Sequence, residues 1–443
     1  MYLQRTIDKE LQKWAMEADR KPLLLRGARQ VGKSSTVRKL AQQFRYFLEV
    51  NFEEQKTVHQ LFSGDLSPLD LCNNLTILYG IPIIPGQTLL FFDEIQACPV
   101  AISSLRFFYE KYRELHVIAA GSLLEFALEE LPSFGVGRIR SVFLYPFSFD
   151  EFLYAIGAEA LSKSKAVASP EKPLPEPIHK KLIFHLKQFI LLGGMPEVVS
   201  RFVGGSDLLA CQQVLDDLIL SLKSDFAKYK KRVPPLRIME VFESVVLQTG
   251  NKFTFSKVTS ESNHKQIKEA LELLIMAGLA IPVTHTAATG LPLGATINPG
   301  RRKMLVFDTG ICQRLQGMKL ADFLFFDGFR AVNQGSIAEL FTGLELVKYA
   351  SAYQQKSLYY WQREKLNSHA EVDYIVQNQD DIIPIEVKSG TQGAMQSLFL
   401  FLKEKNKPFG IRCSLENYSQ FDKIRVYPLY SISSFANKFT SSD

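Results

Sequence analysis

The chain has 443 residues, more than one hydrophobic core usually holds, so we expect several domains. Hydrophobic residues make up 46% and charged residues 22%, a composition that excludes a disordered or fibrous protein. The net charge of +6 permits an acidic partner such as nucleic acid but is too small to indicate one.

The five cysteines are scattered and form no Cys-x-x-Cys pair, which argues against a disulfide framework and against a zinc site. Their usage predicts a reducing cytoplasm. The N-terminal stretch, MYLQRTIDKELQKW, lacks the apolar core of a signal peptide. The most apolar runs are shorter than the ~20 residues of a membrane span. We therefore expect a cytoplasmic protein without a membrane partner.

Residues 22 to about 155 alternate short apolar runs with helical patterns. The runs that read as buried strands are PLLLRG, YFLEVNF, TLLFFDE, HVIAAGS and SVFLYPF. This alternation predicts an α/β domain over residues 1–155, with a parallel sheet covered by helices on both faces.

The first of these strands runs into a phosphate-binding loop. Residues 27–34 fit the pattern G-x-x-x-x-G-K-[ST] between a strand and a helix, as that motif requires. Glycine lets consecutive backbone N–H groups point at a phosphate, and Lys33 neutralises the β- and γ-phosphates. Ser34 can place its hydroxyl on Mg²⁺. The predicted nucleotide contacts are Gly27, Ala28, Arg29, Gln30, Val31, Gly32, Lys33, Ser34 and Ser35.

Two more strands are expected to deliver catalytic groups. The run TLLFFDEIQ places Asp93 and Glu94 at the carboxyl end of a buried strand, where open α/β sheets carry their chemistry. We expect Asp93 to hold Mg²⁺ and Glu94 to polarise a water molecule for attack on the γ-phosphate. Ser122, after the strand HVIAAGS, either orients that water and senses the γ-phosphate or caps a helix.

Arg138 and Arg140 precede the last predicted strand of this domain, in GVGRIRSVFLYPF. Either can complete a neighbouring subunit's site as an arginine finger, so we place Arg138 in the catalytic set and expect a homo-oligomer. The alternative is a solvated surface arginine.

Beyond the first domain the pattern changes several times. Residues 161–180, LSKSKAVASPEKPLPEPIHK, carry four prolines and predict a loop or linker. Amphipathic helices follow it, which gives a linker and helical segment over 156–234. Residues 235–310 then show a helix, a short segment, a second helix and two strands around a Gly/Pro-rich tip. That order is typical of a winged helix.

Basic residues in the middle of the chain leave the question of DNA open. The polar residues of the second winged-helix helix, His264, Lys265 and Lys268, are no more basic than a solvent-facing helix usually is. The runs KYKKR, from Lys228, and RRK, from Arg301, either contact phosphates or form hydrated surface.

Taken together, the motifs of this chain resemble bacterial and archaeal AAA-type ATPases joined to a C-terminal domain of unknown function. The resemblance covers nearly the full length, and Ser35 stands where the family usually has threonine. It implies ATP binding and hydrolysis, a winged-helix segment, and a restriction-endonuclease-like α/β domain, which we assign to 325–436. The segments that carry it are RGARQVGKSS, FFDEIQ, AAGS, VGRIRSVFLYPFSFDEFL, LLGGMPEVV, VFDTGI, GSIAELF and AEVDYIV…IPIEVKSG.

The C-terminal domain contains a second candidate site. Asp373 and the pair Glu386 and Lys388 lie on two expected neighbouring strands, where their side chains can converge. As in nucleases of this fold, the two carboxylates would bind Mg²⁺, Lys388 would position or activate water, and Glu339 would be a further ligand. The alternatives are a cross-strand ion pair, or a degenerate nuclease fold kept for recognition or packing.

The sequence therefore predicts an ATP-hydrolysing switch or motor that acts on a DNA or protein partner. Two further hypotheses stay open: an Mg-dependent nuclease gated by ATP, and a non-catalytic DNA-binding regulator.

Overall fold

The structure is a computed structural model that describes residues 1–122, 124–131, 137–229, 233–258, 264–320, 334–365, 368–390 and 395–436. Its backbone divides into two compact units. The first unit comprises Met1–Pro146 with two short additions, Met276–Gly278 and Ala352–Gln355. The second unit comprises Phe147–Ile275, Leu279–Ser351 and Lys356–Asp443.

In the first unit, strands and helices alternate along the chain as the apolar runs predict. The described elements are α1 (Ile7–Met16), β1 (Leu23–Arg26), α2 (Lys33–Ala41), β2 (Tyr46–Asn51), α3 (Pro68–Tyr79), β3 (Thr88–Asp93), α4 (Pro99–Lys111), β4 (His116–Ala120), α5 (Leu124–Glu130) and β5 (Arg140–Phe143). The strands form one parallel sheet in the order β2-β3-β4-β1-β5. The predicted parallel α/β fold is confirmed.

Apolar side chains fill both faces of this sheet. On one face, Leu24, Leu90 and Phe92 pack in a cluster with residues of α3, α4 and α5. Successive strand residues point to opposite faces, so Leu23 and Phe91 lie on the other face, and both are fully buried. Burial on both faces explains why these strands read as continuous apolar runs.

The second unit begins with helices and ends in a mixed α/β region. Its described elements are α6 (Phe149–Ala155), α7 (Glu159–Ala166), α8 (Glu176–Leu192), α9 (Pro196–Val203), α10 (Leu208–Asp225), α11 (Pro235–Leu247), α12 (His264–Met276), β6 (Ala280–Thr286), β7 (Ile297–Val306), α13 (Thr309–Leu315), α14 (Gln334–Lys348), β8 (Leu358–Gln362), β9 (Glu371–Asn378), β10 (Asp381–Val387), α15 (Gln396–Glu404), β11 (Gly410–Ser414), β12 (Ser419–Phe421), β13 (Ile424–Pro428) and α16 (Ile432–Ala436). Among the helices described in either unit, none has both the length and the apolar character needed to cross a bilayer.

The strands of the second unit form a mixed sheet in the order β12-β13-β11-β10-β9-β8-β6-β7. The pairs β10 with β11, β11 with β13, and β6 with β8 are parallel, and the other neighbours are antiparallel. The ranges predicted as winged helix, 235–310, and as C-terminal α/β domain, 325–436, both contribute strands to it. The two predicted ranges therefore share backbone pairing.

The proline-rich stretch 161–180 is not the unstructured linker that its composition predicts. Helix α7 covers its first residues, and the Lys165 ammonium group is buried against Asp150 Oδ1 at 2.8 Å and Ser433 Oγ at 2.6 Å. Pro177 lies in the first turn of α8, where a missing N–H group costs no helical hydrogen bond. Contacts with distant residues order this stretch, and composition alone does not reveal them.

Two glycine motifs of the sequence, LLGGMPEVV and VFDTGI, meet around one buried carboxylate. Asp308 accepts hydrogen bonds from Gly194 N at 2.7 Å and from Ile311 N at 3.0 Å, and thereby caps α13. A Cβ atom on Gly193 would lie 2.2 Å from Asp308 Oδ1. The glycines are required because the backbone approaches this carboxylate so closely.

Candidate nucleotide-binding site

The loop between β1 and α2 has the backbone that a phosphate-binding loop needs. Gly27 has a φ of 140° and Gly32 a φ of 97°, in the region that favours glycine. A Cβ atom at position 27 would lie 2.1 Å from the carbonyl oxygen of Leu144. Gln30 also has a positive φ, 62°, at the exposed tip of the loop. The motif therefore reflects a close approach of two backbones.

Lys33 is the first residue of α2, and its side chain folds back onto the loop. Its Nζ donates hydrogen bonds to Gly27 O at 2.9 Å and to Ala28 O at 2.8 Å. The residue is only 7% exposed, and this burial lowers the pKa of Lys33 to about 8. An anion beside this ammonium group would restore the charged form.

Ser34 joins the loop to the end of β3. Its Oγ donates a hydrogen bond of 2.7 Å to Asp93 Oδ2. The other oxygen of Asp93 accepts from Glu94 N at 3.1 Å, and burial raises the pKa of the Asp93 carboxyl above its ordinary value. Because β4 lies between β1 and β3, these two groups meet at the carboxyl edge of the sheet across a central strand.

Glu94 is held by a short network at the same edge of the sheet. Its Oε2 accepts hydrogen bonds from Ser122 Oγ at 3.1 Å, Ser122 N at 3.3 Å and Gln96 Nε2 at 2.6 Å. A Cβ atom on Gly121 would lie 2.1 Å from Gln96 Oε1, so glycine makes room for this side chain. Sequence reasoning missed Gln96, whose only signal is its place two residues after the glutamate.

The N-terminal residues also reach the loop, which the motif did not indicate. Arg5 donates to Val31 O at 3.2 Å and to Tyr145 O at 2.7 Å.

Tyr2 donates a hydrogen bond of 2.5 Å from its hydroxyl to Asp8, and a cavity of about 280 Å³ opens beside it. That cavity is lined by Tyr2, Gln4, Asp8, Leu11, Gln12, Lys39, Leu40 and Gln43.

The remaining predicted loop contacts differ in burial. Ala28 and Val31 are buried, Arg29 is half-buried, and Ser35 is exposed on α2. A Cβ atom on Gly278 would lie 3.3 Å from Ala28 N, so the short addition Met276–Gly278 lies against the loop within the first unit.

The predicted finger arginines are engaged elsewhere in the first unit. Arg138 forms an ion pair with Glu110, and half of its side chain remains exposed. Arg140 pairs with Glu17 at 2.6 Å and stacks on the Tyr353 ring. These contacts hold both guanidinium groups on acids outside the P-loop.

In the second unit, the predicted C-terminal residues come together on β9 and β10. Tyr374 pairs with Ile385 in the antiparallel register, which brings the preceding Asp373 beside Glu386. Asp373 Oδ2 accepts from Val387 N at 2.8 Å, and Glu386 Oε1 accepts from Lys388 Nζ at 2.7 Å.

Lys303 also enters this cluster. The RRK run was expected to lie on the surface, but the Lys303 side chain is 1% exposed. Its Nζ lies 2.8 Å from Glu339 Oε1, 2.5 Å from Glu371 Oε1 and 3.7 Å from Asp373 Oδ1. Burial alone would lower the pKa of Lys303, but these carboxylates raise it above the ordinary lysine value. Sequence reasoning missed Lys303 and Glu371.

Three known domain families match parts of the chain. Residues 19–153 match the family model described as an AAA domain. Residues 183–322 and 334–432 match two domains of unknown function, DUF8612 and DUF4143. The first match indicates an AAA-type domain over residues 19–153, in agreement with the parallel sheet. No curated protein matches the chain.

Three solved structures that match the chain do so at low identity and with TM-scores below 0.5. The Walker-type ATPase PABY2304 of Pyrococcus abyssi is 16% identical, with a TM-score of 0.47 over 71% of this chain and 96% of that chain. The ORC1 protein of Aeropyrum pernix, solved in complex with DNA, is 12% identical, with a TM-score of 0.29 and coverages of 73% and 94%. Cdc6p from Pyrobaculum aerophilum is 11% identical, with a TM-score of 0.26 and coverages of 77% and 96%. Similarity at this level says nothing about what this chain binds.

Proposed function

We propose that the protein binds ATP with Mg²⁺ at the P-loop, hydrolyses it, and acts as a nucleotide-dependent switch or motor on a macromolecular partner. One contact carries the proposal: Ser34 Oγ lies 2.7 Å from Asp93 Oδ2, between the helix that follows the loop and the end of β3. The AAA-domain match over residues 19–153 supports the nucleotide part.

Phosphate binding would rest on the loop backbone and on Lys33. The positive φ angles of Gly27 and Gly32 shape the loop, and the first turn of α2 adds N–H groups that have no partner within the helix, together with the helix dipole. Lys33 would exchange its acceptors, the carbonyls of residues 27 and 28, for phosphate oxygens. A charged acceptor holds the ammonium group more strongly than a carbonyl does.

Ser34 and Asp93 fit Mg²⁺, because this ion prefers oxygen ligands and a hydroxyl and a carboxylate oxygen already lie together here. The ion would neutralise charge on the transferring phosphoryl group. Glu94 would act as the general base, and Ser122 and Gln96 orient its carboxylate through the hydrogen bonds described above.

We also propose a fold for each of the two later domains, residues 235–310 and 325–436. The order of α11, α12, β6 and β7 supports a winged helix over residues 235–310. Helix α14 followed by β8, β9 and β10 supports a restriction-endonuclease-like domain over 325–436. A nuclease gated by ATP would use Asp373, Glu386 and Lys388.

We also propose that the protein assembles into a homo-oligomer. As the macromolecular partner, we favour a protein over DNA. Three of the basic residues for which phosphate contact and hydrated surface were the two alternatives have acidic partners: Lys228 pairs with an aspartate, and Arg301 and Arg302 pair with glutamates. Such pairing is typical of a hydrated protein surface rather than of a phosphate-binding one. Lys230, Lys231 and Arg232 lie outside the described residues.

Titration calorimetry with ATP and Mg²⁺, together with steady-state turnover, tests the proposal. We expect wild type to bind and hydrolyse ATP and Lys33→Ala to lose binding by about 100-fold or more, since a charge-assisted contact is lost. Lys9→Ala, at an exposed lysine of α1, is the matched control. Equal ATP affinity in wild type and Lys33→Ala would refute the proposal.

A further inference from the structure

The carboxylate cluster of the second unit already contains a cation of its own. Lys303 projects from β7 into a group of acids on two other elements, Glu339 on α14 and Glu371 and Asp373 on β9. The cluster lies apart from the P-loop residues in the sequence and plays no role in the function proposed above.

The position of Lys303 is fixed from several sides. On β7 it pairs in register with Val283 of β6. Its Nζ lies 5.3 Å from the centre of the Tyr360 ring on β8, within range of a cation–π contact. With its side chain 1% exposed, the ammonium group has exchanged water for carboxylates and an aromatic face. A buried lysine in such a setting is a structural part of the cluster.

A metal ion in this cluster would need the space that the ammonium group occupies. Mg²⁺ requires oxygen ligands at about 2.1 Å in octahedral geometry. Two of the three predicted ligands, Glu339 and Asp373, face the Lys303 ammonium, at 2.8 and 3.7 Å. The third, Glu386, gives one oxygen to Lys388, and its Oε2 has no hydrogen-bond partner among the described residues. A divalent ion at this point would have to displace the Lys303 ammonium group or lie beside it, and two like charges at such short range repel.

We propose that the ammonium group of Lys303 is a built-in cation that takes the place of a divalent metal in the cluster of Glu339, Glu371 and Asp373. The residues present do not fit Mg²⁺ while Lys303 is there. Within the described part of the chain, no group of three or more His, Cys, Asp or Glu side chains is arranged to hold a metal. The nuclease-like range 325–436 then serves as a metal-free recognition or packing domain.

The ammonium group also joins two parts of the chain that match different families. Lys303 lies in the range 183–322, and its carboxylate partners lie in the range 334–432. One buried charge therefore binds three elements, β7, α14 and β9, within a single sheet region. Removing that charge leaves the buried Glu339 and the partly buried Asp373 and Glu371 without this counter-ion, which is costly unless another cation replaces it.

The proposal is tested by titrating Mn²⁺ into the full chain without nucleotide and measuring bound Mn²⁺ by electron paramagnetic resonance. An Asp93→Asn background removes the contribution of the P-loop site. We expect no bound Mn²⁺ in this parent, one bound ion after Lys303→Met, and none after Lys303→Arg, which keeps the charge. Adding Asp373→Asn to the Lys303→Met protein should weaken Mn²⁺ binding by about tenfold or more.

Two results would overturn the proposal. One is Mn²⁺ binding by the parent protein that Asp373→Asn abolishes. The other is a folded Lys303→Met protein, with wild-type circular dichroism, that binds no Mn²⁺. If Lys303→Met does not fold, Glu339→Gln is added to lower the uncompensated charge. The proposal then requires the double variant to fold, with a cooperative melting transition in circular dichroism, and a double variant that also stays unfolded contradicts it.

Discussion

Ser34 and Asp93 are 59 residues apart in sequence, and their side chains are joined by a hydrogen bond of 2.7 Å. The serine follows the glycine-rich loop after β1, and the aspartate ends β3, two strands away in the sheet. Since the strands are parallel, their carboxyl ends meet at one edge, and the two motifs form one site.

Replacing Glu94 should separate ATP binding from hydrolysis. We expect Glu94→Gln to bind ATP within a few-fold of wild type and to turn over about 100-fold more slowly, because the general base is lost. Phosphate release and calorimetry measure the two effects. Glu114→Gln, an exposed acid of the same unit, is the control. Wild-type turnover in the Glu94 variant would remove this residue from the mechanism.

ATP affinity should fall above pH 8. Burial lowers the pKa of Lys33 to about 8 in the nucleotide-free protein, and bound phosphate would raise it again, so ATP binding requires proton uptake above that pH. The dissociation constant should be flat from pH 7 to 8 and then rise by up to about tenfold per pH unit. Lys33→Arg, if it binds ATP, should flatten the profile, because arginine stays protonated. A wild-type dissociation constant that is constant to pH 9.5 would contradict the assignment.

Arg138 should act across a subunit interface, exchanging its ion pair with Glu110 for the phosphates bound by a neighbouring subunit. We expect Arg138→Ala to bind ATP but to turn over about 1,000-fold more slowly. Mixing it with Lys33→Ala subunits, which keep Arg138, should restore part of the activity. Mass measurement with a non-hydrolysable nucleotide confirms that mixed oligomers form, and Arg113→Ala serves as an exposed control. Mixed oligomers without recovery would argue that Arg138 does not act in trans.

Gly27→Ala should disrupt the P-loop. The added Cβ atom would lie 2.1 Å from Leu144 O, and the φ of 140° is unfavourable for alanine. We expect a loss of stability of about 2 kcal/mol or more and weaker ATP binding. Gly64→Ala is the control, since it meets no atom within 4 Å and should change stability by less than about 0.5 kcal/mol. Urea unfolding measures both, and equal effects would mean that crowding at position 27 is unimportant.

Asp308→Ala should destabilise the second unit far more than a surface cap does. It leaves Gly194 N and Ile311 N buried without acceptors, at a cost of about 2–4 kcal/mol. Asp207→Ala removes an exposed cap that accepts one bond, from Ala210 N, and should cost about 1 kcal/mol. The shift of the urea midpoint compares them. Similar shifts would show that Asp308 contributes no more than an ordinary cap.

The parallel sheet and the phosphate-binding loop could be predicted because their signals are contiguous. A buried strand, a glycine pattern and a lysine lie within a dozen residues of one another. The apolar run of β3 is likewise followed directly by the two carboxylates, so both signals can be found in the sequence. Lys303 could not be predicted, because its burial depends on β6 and β8 lying between β7 and β9. Arg5 was missed for a similar reason: its acceptors, Val31 and Tyr145, are distant in sequence and are backbone carbonyls, which carry no residue pattern.

Composition misled most clearly in the stretch 161–180. Prolines and charged residues suggested too little apolar surface for order, yet Lys165 pairs with Asp150 in the interior. Any hydrophobicity scale predicts that a lysine is exposed to solvent. The burial of Lys165 becomes favourable only because the Asp150 carboxylate pairs with it, and the sequence does not show that contact.

The parallel pairing of β6 with β8, in which Val283 faces Leu358, has a practical consequence for dissecting the protein. In a fragment that starts at Gln334, β8 would lose β6 and become an edge strand with a row of unpaired N–H and C=O groups. An exposed edge strand of this kind is a template for intermolecular strand addition and aggregation. Expression of residues 334–443 by themselves should yield insoluble material, whereas a fragment that also includes β6 and β7 keeps this edge of β8 paired.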